Sequence, residues 1–336
     1  MTECAGRPTP TATAERPAAS WSIWPGGPYP EFFQGGLEMK IRSLARTVPA
    51  AVLFAAAASG LMFQAAAAQE RPQTLPLSAE QVRGGLHLVK GGSGANTAFY
   101  ITGKSVFAID AKMSAESATA MLEEIGKRTP APVTTVIITH SDGDHINGLP
   151  GFPKGLAVIA HENCKADIEK AAVNLPALVD YIPNRILGRD RETLYKEDDG
   201  WIDLVYFGPA HTSGDLVVWF PREKAVFVGD LLFVGRDPLI HRYKNGNSFG
   251  YVKTLKGLLE LSPQVEIFLS GHADPLGRSD VAGLIASMEE KQAKVRALVE
   301  EGRTLEEVKK AFGIEDPPGR RWPSLVETIY LELTAK

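Results

Sequence analysis

Four side chains able to bind a metal fall within six residues of this chain. They are His140, Asp142, Asp144 and His145, in the run Thr139-His140-Ser141-Asp142-Gly143-Asp144-His145. An apolar, largely β-branched run at residues 133–138 precedes them, and such a run predicts a buried strand. Side chains alternate along extended backbone, so His140 and Asp142 point the same way from the strand end. Asp144 and His145 then face a second point slightly further on. This spacing suits two adjacent metal ions better than one. Asp and Gly after a strand are also ordinary turn chemistry, but two His and two Asp packed this closely exceed what a turn needs.

Further candidates stand downstream. Residues 208–215, Gly-Pro-Ala-His-Thr-Ser-Gly-Asp, lie between apolar runs at 204–207 and 216–220. The Gly-Pro and Ser-Gly pairs predict a tight loop presenting His211. A short apolar run at 225–228 ends in Gly229-Asp230, and another at 265–269 is followed by Ser270-Gly271-His272.

The first motif resembles the His-x-His-x-Asp-His signature of the metallo-β-lactamase-fold hydrolases, with Asp142 standing where that family usually has its second His. Pro-x-His-Thr-x-Gly-Asp around His211, Gly-Asp at Asp230 and Gly-His at His272 are similar to that family's later motifs, in the same order. The resemblance covers roughly residues 85–275. It implies an αββα sandwich of two mixed β-sheets flanked by helices. It also implies that His140, Asp142 and His211 hold one metal, that Asp144, His145 and His272 hold the other, and that Asp230 bridges them. Asn96 and Asp110 match positions near the family's site, with Asp110 expected to support a ligand histidine from outside.

Imidazole and carboxylate donors suit zinc (Zn2+), with two ions per chain. Two such ions would supply an acidified water, its pKa lowered from about 15.7 toward about 7, for attack on a carbonyl carbon. Asp144 is the expected catalytic residue, orienting that hydroxide. This mechanism needs no Ser or Cys nucleophile. Asp142 adds a third carboxylate, which should weaken the metals as Lewis acids and shift preference toward iron or manganese. Asp142→His is accordingly expected to raise zinc affinity. The expected function is an exported hydrolase of an ester, lactone, thioester or β-lactam, with β-lactamase-like activity only as a side reaction kept as an alternative. An iron-dependent oxidase or dioxygenase on the same fold is the alternative, and a non-catalytic binding protein a third.

The elements that must position these residues follow in order. A strand is expected at 85–90, then a hairpin at 97–102 and 105–109, and a helix at 114–127 with Ser114 as N-cap. A strand is expected at 156–160, followed by a helix capped by Asn163; His161 reads as a polar residue at the strand end. Residues 173–200 read as irregular, a long loop or short helices beside the cleft. Residues 235–250, with His241, Arg242, Tyr243 and Asn247, read as a solvated polar loop, with shaping of a substrate pocket as the alternative. Helices are expected at 252–261, 284–298, 304–312 and 325–333, the third opened by Thr304 with Glu307 three residues on, a capping-box pattern.

The first residues read differently. Residues 1–38 are rich in Pro, Gly, Ala and Thr. Residues 39–68 show a basic start, an apolar Ala-rich stretch and a small-residue end, the pattern of a secretory signal peptide. A start at Met39 would make 1–38 a non-native extension. Cleavage would leave 69–336 as a single domain in the periplasm or secreted, with no membrane contact. Residues 1–68 carry five Lys/Arg and four Asp/Glu, so the net charge would move from −4 to −5. That balance gives no support for a nucleic-acid partner and leaves a small-molecule substrate; oligomeric state is not legible. Cys4 would be lost and Cys164 retained, so no intramolecular disulfide is expected.

Overall fold

The computed structural model describes residues 75–315 and 322–335. The expected extension, signal segment and Cys4 lie outside the described residues. One sheet contains β1 (Leu75–Arg83), β2 (Leu86–Gly92), β3 (Thr97–Ile101), β4 (Val106–Ile109), β5 (Val133–Ile137), β6 (Ala157–Ala160) and β7 (Arg185–Ile186), side by side in chain order. The other contains β8 (Arg191–Glu197), β9 (Gly200–Tyr206), β10 (Leu216–Phe220), β11 (Ala225–Phe227), β12 (Ile267–Ser270) and β13 (Ala273–Leu276), again in chain order. Both sheets are mixed. Pairing is antiparallel from β1 to β4 and parallel from β4 to β7, and in the second sheet only β11 and β12 pair in parallel.

Period-two alternation builds the layers. Phe107, Ile109 and Ile137 face the second sheet and pack with Leu204, Leu216, Val218, Phe227 and Leu269. Their neighbours Val106, Ala108, Val136 and Ile138 face outward, against α1 (Ala115–Gly126) and α3 (Glu162–Asn174) through Met121, Ile125 and Ile168. A short helix, α2 (Gly143–Ile146), follows β5. The outer face of the second sheet, with Val217, Val226 and Phe268, is covered by α4 (Ser248–Leu261), α5 (Arg278–Glu300), α6 (Leu305–Ala311) and α7 (Leu325–Thr334). Burial on both faces makes the inner strands β4, β6, β10 and β11 apolar throughout. The result is the expected αββα sandwich, with a helix layer on each side. No helix among the described residues is long and apolar enough to cross a membrane.

Several local expectations change. The segment before residue 85, for which no strand was expected, forms β1, paired antiparallel with β2. Residues 173–200 are not irregular throughout: β8 forms a hairpin with β9 at the edge of the second sheet. Its sequence, Arg-Glu-Thr-Leu-Tyr-Lys-Glu, is too polar to read as a core strand because an edge strand tolerates charge. Helix α3 is capped by His161, whose Nδ1 accepts from Asn163 N at 3.3 Å, and not by Asn163. The His161 ring stacks on Tyr206, away from any metal ligand role.

Candidate metal centre

All seven ligand candidates converge where the C-terminal ends of β5, β11 and β12 meet the β9–β10 loop. The ends are tied together by backbone. Gly271 N donates to Gly229 O at 2.9 Å, and Leu216 N donates to Thr139 O at 2.8 Å across the sheets. Gly229 has φ +54°, and a Cβ there would fall 2.6 Å from Thr139 Oγ1; only Gly lets this turn close so tightly. Gly271 is under the same constraint, with Asp230 Oδ1 2.6 Å from where its Cβ would be.

Two groups of donors result. His140, Asp142, His211 and Asp230 form one, and Asp144, His145 and His272 form the other, with the donor atoms of each within 4.8 Å of one another. Asp230 lies between them. Its Oδ1 is 3.1 Å from His145 Nε2 and its Oδ2 is 3.0 Å from His272 Nε2, while His140 and His211 stand 3.8 and 3.9 Å from Oδ2. Asp144 Oδ2 sits 3.2 Å from His272 Nε2.

The histidines are oriented from behind. His145 Nδ1 donates to Asp110 Oδ2 at 2.7 Å, and His211 Nδ1 donates to Leu239 O at 2.8 Å. Asp110 is fully buried and also accepts from Thr139 N and Thr139 Oγ1, both at 2.8 Å. Thr139 Oγ1 in turn lies 3.0 Å from His140 Nδ1. Binding the outer nitrogen leaves each Nε2 as the inward-facing lone pair that a metal requires. Asp110 thus has the supporting role expected of it, and it serves two histidines. Asn96 takes part through backbone: its N donates to Gly271 O and its Nδ2 to Ser270 O and Ala273 O, which fixes the His272 turn.

Two observations test whether these residues fit a metal. His140 Nε2, His145 Nε2 and Asp230 Oδ1 are buried and make no hydrogen bond, a costly state unless a ligand completes them. The charges point the same way. Burial opposes protonation of His211 and His272, yet the Asp142 and Asp230 carboxylates outweigh it and lift both from 6.5 to about 9. Burial likewise opposes ionisation of Asp142, but the imidazoles around it hold its carboxyl well below the usual range. Concentrated negative charge faced by imidazole nitrogens is the donor set of a divalent cation. The residues fit.

One pair was missed. His241, expected in a solvated loop, is buried, and its Nε2 lies 2.7 Å from Asp142 Oδ2. Lys244 Nζ donates to Asp142 Oδ1 at 2.6 Å and to Ser141 O at 3.1 Å. The Gly-rich, polar composition of 235–250 carries no periodic signal that could have placed these two side chains.

The fold, with its donors gathered at one end of the sheets, can now be set beside known proteins. The metallo-beta-lactamase superfamily model matches residues 91–272. The chain belongs to the metallo-beta-lactamase superfamily. It is 26% identical over 206 residues to a metallo-beta-lactamase type 2 from Elizabethkingia meningoseptica, covering 60% of this chain and 78% of that one. Identity is 24% over 210 residues to the metallo-beta-lactamase IND-1 of Chryseobacterium indologenes, at 60% and 83% coverage. Among solved structures, the DIM-1 metallo-beta-lactamase aligns with a TM-score of 0.56 at 18% identity, covering 65% of this chain and 99% of that one. That likeness concerns the fold. The superfamily membership agrees with the expectation of a metal-dependent hydrolase.

Proposed function

We propose that this superfamily member is an exported hydrolase. In this reading it holds two divalent ions, zinc foremost, and cleaves an ester, lactone, thioester or β-lactam carbonyl in a small molecule. The observation that carries the reading is the pair of donor groups sharing Asp230, with three buried donor atoms left facing inward. When bound, the metal pair supplies an acidified water for attack and a Lewis acid for the carbonyl oxygen. The protein's own residues do the rest. Asp144 is the donor most open to solvent after His272, at 21% side-chain exposure. It turns Oδ2 toward His272, leaving its other oxygen to orient the attacking water. Asp110 and Thr139 hold the His140 and His145 rings in place, so that little reorganisation is needed during reaction.

The surroundings favour a substrate with an apolar flank. Phe233 stacks on His272 with centroids 5.6 Å apart. Tyr243 and Trp322 stack on each other, and each ring lies 5.0 Å from His241. Val234 and Tyr243 are about 60% exposed, at 61% and 60%, so this wall is open to a ligand. Arg236 sits over Phe233 at 4.4 Å, a cation placed for a substrate carboxylate. The two relatives named as β-lactamases support trying β-lactams beside esters and lactones. Export rests on the signal-like pattern at 39–68.

The test is metal content by mass spectrometry, followed by turnover on an ester, lactone, thioester and β-lactam panel. Hydrolysis that disappears on chelation and returns with zinc supports the reading. Oxygen uptake with bound iron and no hydrolysis would replace it with an oxidase.

A further inference from the structure

Asp142 is held by more than a metal could explain. Both of its oxygens are engaged by one loop, with Lys244 on Oδ1 at 2.6 Å and His241 on Oδ2 at 2.7 Å. His211 Nε2 reaches the same Oδ2 at 3.1 Å. The loop does not need these side chains to stay in place. His241 N donates to His211 O, Ser213 N to Lys244 O, and Asn247 N to Ala210 O, all at 2.8–2.9 Å. Gly246 packs so closely on this backbone that a Cβ would fall 2.3 Å from His211 O. The backbone alone therefore fixes the loop against the His211 turn, and the two side chains are left to address Asp142. Lys244 and Asp142 are each only 14% exposed at the side chain, so their pairing is shielded from solvent.

We propose that Lys244 and His241 are positioning residues which hold Asp142 as a charge-compensated, one-oxygen ligand, and that this pairing sets the metal preference of the first position. An unrestrained Asp142 would offer two oxygens and a full negative charge, which favours hard ions such as manganese. With Lys244 on Oδ1, only Oδ2 faces the site and the added charge is cancelled. The three carboxylates Asp142, Asp144 and Asp230 then act electrostatically as two. The position behaves as a borderline-soft site and prefers zinc, despite carrying Asp where relatives carry His. The weakening of Lewis acidity expected from Asp142 alone is offset by the same ammonium.

This inference rests on the two-metal reading above, and the experiment separates the two. Zinc and manganese binding are measured by competition dialysis on the full chain, for wild type, Lys244→Met and Lys244→Arg. Wild type that binds neither ion removes the two-metal reading itself. With metal bound, we expect Lys244→Met to lower the zinc-over-manganese preference by about tenfold or more, the range over which outer partners tune metal sites, and Lys244→Arg to keep it. A preference unchanged in Lys244→Met, or both affinities falling in proportion, overturns the proposal, since a merely structural Lys244 would act on both ions alike. A measurement on wild type guards against misfolding of the variant. In 15N-histidine protein loaded with 113Cd, His140 and His211 should show cadmium coupling at Nε2 and His241 should not. Coupling at His241 makes it a ligand and overturns the positioning role.

Discussion

Asp110→Asn is isosteric, yet the structure gives the amide no orientation that works. Asp110 accepts three hydrogen bonds and donates none: Thr139 N on Oδ1, and both Thr139 Oγ1 and His145 Nδ1 on Oδ2. If the amide nitrogen replaces Oδ2, it meets two donors. If it is flipped, it meets the Thr139 backbone N–H. Either way a buried donor is left unpaired, which costs about 1–3 kcal/mol. The larger effect falls on the metal. With the nitrogen at the Oδ2 position, His145 could restore a bond only by moving its proton to Nε2, the atom that faces Asp230 at 3.1 Å, and a protonated Nε2 cannot ligate. In that orientation Thr139 also loses the acceptor that fixes its hydroxyl against His140. We expect the affinity of the Asp144, His145 and His272 position to fall about 10- to 100-fold, as for other partners behind a metal-bound histidine. Tm should fall by about 4–8 °C for a loss near 2 kcal/mol in a domain of this size. Isothermal titration with zinc and thermal unfolding of the metal-free protein check the two parts. Wild-type zinc affinity in Asp110→Asn would refute the argument that Asp110 sets the histidine tautomer.

Three further outcomes follow from the same geometry. In the metal-free protein, His211 and His272 are raised from 6.5 to about 9. Their contribution to stability is therefore complete below about pH 6.5 and is lost as pH rises through about 9. Thermal unfolding should show metal-free protein losing stability across that window, while zinc-loaded protein, whose imidazoles carry no proton to lose, does not. Gly271→Ala places a methyl 2.6 Å from Asp230 Oδ1 and 2.8 Å from His145 Cε1; it should cost about 1–3 kcal/mol by overpacking and lower metal content by mass spectrometry. Asp142→His, expected from the sequence to improve zinc binding, should instead destabilise the protein by about 3 kcal/mol, the lower end for a broken buried pair, because Lys244 keeps Ser141 O at 3.1 Å. Adding Lys244→Met should recover most of that loss in urea unfolding, and only the double variant should bind zinc more tightly than wild type.

The layers of this fold were legible because burial on both faces leaves strands that read as apolar runs. The 133–138, 216–220 and 225–228 runs became β5, β10 and β11 within a residue or so. Ser114 and the Thr304–Glu307 box cap α1 and α6 as their side-chain chemistry requires. Where the pattern was weak, other forces decided. β8 is a polar edge strand whose alternation is broken by a bulge between Thr193 and Tyr195, and its place comes from pairing with β9, which no local pattern encodes. β13 is four residues containing a proline, and it is a strand only because it turns back on β12 after His272.

The site divides along the same line. Residues 140–145 are legible because the strand, the turn and the ligands are neighbours in sequence, and His211, Asp230 and His272 because each follows a strand end. What completes Asp142 is not local. Its two loop partners lie 99 and 102 residues away, on a segment whose position depends on backbone bonds to the His211 turn. A substitution that looks like a loss in the motif, carboxylate for imidazole, therefore cannot be weighed in the motif. Its consequence depends on a cation supplied from another part of the chain, and the charge of the site is a property of the fold. That is why metal preference, more than ligand identity, is where this protein should depart from what its sequence motif alone would suggest.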